Sequence, residues 1–128
     1  MSTCGEQQSW SCSLDWFQRR VGDAVVVSVV GELDASTAPE FRRKLCGLVK
    51  SVRVGTVVLD MSRLDFIDVG SVRVILQGRA AAVARSRTLW VDGLHGVPAR
   101  VFDVLGLESL AYPAELEGCE RRRRDGCE

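Results

Sequence analysis

Five of the six residues in Val25-Val26-Val27-Ser28-Val29-Val30 are valine, and no other feature constrains the fold as strongly. β-Branched side chains lose rotamer freedom in a helix and pack well on a pleated surface. Successive strand residues point to opposite faces, so a run that is apolar at odd and even positions alike has to be covered on both. Thr56-Val57-Val58-Leu59-Asp60 and Leu89-Trp90-Val91 are shorter runs of the same kind. They predict a sheet with helical layers. Leu14 to Arg20, followed by the turn signal Gly22-Asp23, supplies a hairpin partner for the valine run.

Between these runs the apolar period changes. Phe41, Leu45, Leu48, Val49 and Val52 form one stripe of an amphipathic helix. Thr37-Ala38-Pro39-Glu40 reads as its start, with Thr37 and Glu40 as a reciprocal capping box and Pro39 in the first turn, where no intrahelical donor is lost. A second helix, with Asp68 as its N-cap, is expected to turn Val72, Ile75, Leu76, Ala80 and Val83 inward. A third runs from about Pro98 to Leu105 and stops at Gly106, a residue type that tolerates the left-handed conformation beyond a helix end. The predicted order is β-β-α-β-α-β-α, an α/β domain with a mixed, mostly parallel sheet.

The chain has 128 residues, 46% of them hydrophobic, with 17 basic and 17 acidic side chains. One globular domain of this size buries roughly two-thirds of the surface its unfolded chain exposes and needs no metal or disulfide staple. The folded part is placed at about 13–112, with residues 1–12 and 113–128 read as flexible tails. Zero net charge argues against direct nucleic-acid binding, which draws on an excess of Lys and Arg. The Arg121 to Arg124 run lies among acidic residues that largely compensate its field. Neither a membrane-spanning run nor a signal-like start is visible, so membrane insertion is not expected and the cytoplasm is.

Cys4, Cys12, Cys46, Cys119 and Cys127 include no CxxC pair, and His95 is the single histidine, so no metal site and no cofactor are expected. Cys46 reads as a small core residue. The sequence contains no GxGxxG, GxxxxGK[ST] or GxSxG, and His95 falls in a probable turn, so catalysis is not expected. Asp34 and Asp68 could form a carboxylate pair. Both precede helices, however, where a carboxylate commonly satisfies exposed backbone donors. Ser36, Thr37 and Ser62 read as cap and turn residues.

The informative stretch is Val57 to Leu76, in which a buried strand, a short loop and a helix opening at Asp68-Val69-Gly70-Ser71 follow one another. Together with Gly31-Glu32-Leu33-Asp34 ahead of the first helix and Leu105-Gly106-Leu107 after the third, it resembles the STAS family, the bacterial anti-sigma factor antagonists, over about residues 13–112. The resemblance implies a partner-switching regulator of transcription. Such a protein binds an anti-sigma factor, often a Ser/Thr kinase, and so frees a sigma factor; phosphorylation at the helix start ends the contact. Self-association into a homodimer stays open beside that role.

The sequence departs from the family pattern at the decisive place. The family motif usually reads Asp-Ser-Ser-Gly, whereas here Val69 and Gly70 stand where the two hydroxyl residues are expected and Ser71 stands where the family has Gly. Gly70 cannot be phosphorylated, and Ser71 lies about 100° further round the helix. Ser71 is nevertheless the candidate phosphorylation site. The resemblance implies a partner surface of Asp34, Asp68, Val69, Gly70, Ser71 and Arg73, where Val69 adds apolar area and Arg73 a planar donor. A STAS subunit of a lipid-transport ABC complex, or another non-catalytic scaffold, is the alternative. A nucleotide-binding module is disfavoured because no Gly-rich loop supplies a phosphate nest.

Overall fold

A computed structural model of the chain describes residues 14–51 and 53–111. The valine run lies in the long strand β2 (Ala24–Leu33), which forms a hairpin with β1 (Leu14–Val21). Gly22 makes the turn with φ +65°. On its other edge β2 pairs in parallel with β3 (Thr56–Asp60) along Ala24–Ser28, and beyond that with β4 (Leu64–Ile67) along Gly31–Leu33. A fifth strand, β5 (Thr88–Asp92), pairs in parallel with β3. Only the β1–β2 pairing is antiparallel among the described strands, so the sheet is mixed and mostly parallel, as expected.

Strand β4 was not anticipated. Leu64 to Ile67 is four residues long, and its side chains run buried, exposed, exposed, buried, which hides the two-residue alternation. The physical reason is a register shift opposite Gly31 and Glu32, since an irregular pairing breaks the alternation of faces. The observed order is therefore β-β-α-β-β-α-β-α.

Helix α1 (Ala38–Val49) buries Phe41, Leu45 and Val49, with Leu48 partly buried. Val52, the last residue of the predicted stripe, lies outside the described residues, as do both predicted tails and every cysteine except Cys46. That residue is half-buried on α1 rather than in the core. The capping box does not form. The Thr37 hydroxyl donates to the Glu32 carbonyl at 2.8 Å and accepts from the Asp34 N–H at 3.0 Å, while Glu40 pairs with Arg43. Thr37 is thereby occupied in joining the end of β2 to the helix.

Helix α2 (Val69–Ala84) turns Ser71, Val72, Ile75, Gly78 and Ala82 inward. It crosses α1 closely at Gly78, where a β-carbon would stand 2.6 Å from Leu45 Cδ2. Ala80 and Val83, expected inside, face outward, and Val83 is 61% exposed. Leu76, also expected inside, lies on the same outer side. The helix is apolar on both sides, and a period that fits either face does not tell which one meets the sheet.

Helix α3 (Gly96–Val104) starts two residues before the predicted Pro98. It ends as predicted at Gly106, whose φ is +69°. The N–H groups of Gly106 and Leu107 close back onto the carbonyls of Asp103 and Phe102, a Schellman arrangement that satisfies two orphan acceptors. A single 3-10 turn follows at Glu108–Leu110.

The three helices share one core with Val25, Val27, Val29, Val57, Leu59, Leu89 and Val91, all from one face of the sheet. Burying one side chain such as Phe41 or Leu45 there contributes about 1.5–3 kcal/mol. On the opposite face Val26 and Val58 form a second buried pair with Val21 and Trp90 against them. Among the described residues no helix joins that second cluster. The expected helical layers thus hold for one face, although both faces of β2 and β3 are buried.

Candidate functional site

The parallel pairing of β2 with β4 sets Leu33 opposite Ile67, the last residue of each strand. The next residues are Asp34 and Asp68, and the Asp68 N–H donates to the Leu33 carbonyl at 3.1 Å. Two helices thus begin side by side at one edge of the sheet, each with a carboxylate at its start. This juxtaposition comes from strand register, which joins residues 34 positions apart in the chain.

Each carboxylate is used locally. Asp34 Oδ1 accepts from the Ser36 N–H at 2.9 Å, the Ser36 hydroxyl at 2.7 Å and the Thr37 N–H at 3.2 Å. Asp68, in extended conformation, accepts from the Ser71 N–H at 2.8 Å. These bonds satisfy donors that a helix start leaves unpaired. Asp68 caps α2, whereas Asp34 closes the turn that leads into α1. Ser36 takes the turn role expected of it, whereas Thr37 holds the N-cap position without a side-chain capping bond.

Around the Asp68 cap the α2 N-terminus is divided. Val69 is 55% exposed, and Gly70 and Arg73 are exposed beside it. At Gly70 there is room for a side chain, because an added β-carbon would meet only Asp68 Oδ1, at 3.7 Å. Ser71 is the opposite case. It is 1% exposed, and its hydroxyl is buried without a hydrogen-bond partner among the described residues. One step along the helix takes the chain from open solvent to the core, as the 100° rotation per residue requires.

The sequence reading missed Phe66, which is exposed on β4 two residues before Asp68. Its signal was masked by the irregular register described above. It also missed a tie from the α3 N-cap to the β3–β4 loop, where His95 Nε2 lies 2.7 Å from the Ser62 carbonyl. With Nε2 as donor, this bond holds the loop that leads into β4 and so supports the site from below. Among the described residues no group of His, Cys, Asp and Glu is placed to hold a metal ion, and no helix is long and apolar enough to cross a membrane.

A family model described as "Mlab, STAS domain" matches residues 16–112. Among solved structures, the anti-sigma factor antagonist SpoIIAA in its unphosphorylated form is similar with a TM-score of 0.71 and 23% identity, over 89% of this chain and 100% of that one. An anti-sigma factor antagonist from Mycobacterium paratuberculosis gives 0.72 and 20%, over 87% and 95%. The fold also occurs within a much larger protein, the murine Solute Carrier 26 family member A9 anion transporter, with a TM-score of 0.59 and 15% identity over 67% of this chain and 14% of that one. No curated protein sequence matches this chain significantly. Because the family model extends over residues 16–112, nearly all of the folded region, the chain belongs to the STAS domain family.

Proposed function

We propose that this STAS protein is an anti-sigma factor antagonist of the cytoplasm. It binds an anti-sigma factor, of the Ser/Thr kinase type, through the paired starts of α1 and α2 and so frees a sigma factor. The observation that carries this reading is the β2–β4 register, which brings Asp34 and Asp68 to neighbouring strand ends, with Val69, Gly70 and Arg73 exposed on the first turns of α2. Its likeness in fold to structures described as anti-sigma factor antagonists supports the same reading.

Control by phosphorylation is altered in this chain. A phosphate at the exposed position 70 would sit where backbone donors and the helix dipole favour an anion, and it would repel an acidic partner groove. Gly70 has no hydroxyl to accept one. Ser71 has the hydroxyl but is buried, so a kinase would have to open the first turn of α2 to reach it. The protein therefore stays in its binding form.

The test is affinity capture of the tagged chain from its source cells in reducing buffer, with mass spectrometry of partners and bait, followed by titration of the purified partner. Recovery of a kinase-like anti-sigma factor, with the bait unmodified and Gly70→Glu weakening the complex at least tenfold, is the expected result. Phosphate on Ser71 would restore the switch one residue along and overturn the account of control. Recovery of transporter subunits alone would replace the function by the second reading, a STAS subunit of a lipid-transport ABC complex, which the missing acceptor at position 70 also fits.

A further inference from the structure

Helix α2 carries a second apolar stripe that the fold does not use. Val69, Leu76, Ala80 and Val83 are spaced 7, 4 and 3 residues apart, and all four are exposed. At 100° per residue they fall within an arc of about 60° and run about 21 Å along the helix. This is the spacing of a seam that packs against another helix, and the small Ala80 permits close approach.

The charges beside the stripe select the partner. No acidic residue occurs between Asp68 and Asp92, whereas Arg73 and Arg79 flank the seam on its two sides. Among the described residues neither has a carboxylate partner. A second copy of the chain is disfavoured. Two α2 helices packed antiparallel about Leu76 would line one seam with four arginines, Arg73 and Arg79 of each copy, and no acid to offset them. A lipid surface is disfavoured because the stripe has no aromatic residue and presents few cations.

We propose that the outer stripe of α2 is a docking surface for an amphipathic helix of a partner protein, with apolar residues at i, i+3/i+4 and i+7 and acidic residues flanking them. The proposal deepens the partner-binding reading and rests on it. It extends the contact from the start of α2 to its last turn and gives the partner element a chemical character.

Two labelled helical peptides with one shared leucine seam, flanked either by glutamates or by lysines, test this by fluorescence anisotropy with the full-length chain. The glutamate peptide should bind about tenfold more tightly, the combined effect of several exposed charge pairs. Val83→Glu and Leu76→Glu should each weaken it about tenfold, and the Arg73→Glu/Arg79→Glu double variant should reverse the preference. Equal binding of both peptides, binding by neither, or indifference to Val83→Glu would overturn the proposal. So would uptake by anionic vesicles in place of peptide, or a dimer in sedimentation that Val83→Glu dissolves. If Gly70→Glu weakens the captured anti-sigma factor while Val83→Glu does not, the stripe fails and the partner-binding reading stands.

Discussion

Replacing Ser71 by alanine should stabilise this protein, although it removes a polar group from the first turn of a helix. Among the described residues the hydroxyl is buried without a hydrogen-bond partner, and leaving such a group unsatisfied costs about 1–3 kcal/mol. Alanine also has the higher helix propensity, by about 0.5 kcal/mol. Against this stands the loss of one oxygen from a packed site, a few tenths of a kcal/mol in dispersion contacts. The cap survives, because Asp68 accepts from the backbone N–H of residue 71 and not from its side chain. The balance is a gain of about 1–3 kcal/mol, or a rise of roughly 3–12 °C in Tm for a domain of this size. Urea unfolding of the full chain in reducing buffer reads the effect as a higher midpoint at unchanged m-value. A loss of 1 kcal/mol or more would show that the hydroxyl has a partner, and the argument against modification at this position would fall with it. Ser71→Glu in the same assay should cost at least about 3 kcal/mol, because it buries an unpaired carboxylate.

Other sites give independent checks. Gly78→Ala should destabilise by about 1 kcal/mol. The added methyl meets Leu45 at 2.6 Å, overpacking costs about 1–3 kcal/mol, and the propensity gain of about 1 kcal/mol offsets only part of it; a net gain in urea would refute the tight α1–α2 contact. Asp68→Ala should cost about 1 kcal/mol by loss of its cap, and Asp34→Ala up to about 2 kcal/mol, because Asp34 holds three donors. Equal, negligible losses in thermal melts would argue against both the cap and the turn. Val83→Glu should leave stability within about 0.5 kcal/mol, as for a surface residue, whereas a drop of several kcal/mol would return Val83 to the core where helical periodicity alone puts it.

Much of the architecture is legible in the chain because local physics dictates it. A valine run broken only by Ser28 has to be a covered strand, Gly22 and Gly106 mark points where the backbone takes positive φ, and Asp68 ahead of an apolar helical segment has to cap it. The motif around Asp68-Val69-Gly70-Ser71 likewise locates the candidate site, and the missing hydroxyl at position 70 is a fact of sequence. What tertiary structure decided are matters of register and facing. Pairing of β2 with β4 brings Asp34 and Asp68 together across 34 residues, a long-range choice that no local pattern contains. Docking against the sheet and α1 chose one of two apolar sides of α2, burying Ser71 and Gly78 and leaving Leu76, Ala80 and Val83 outside. A helix apolar all round does not encode its own orientation; its neighbours impose it, and with it the difference between core and contact surface.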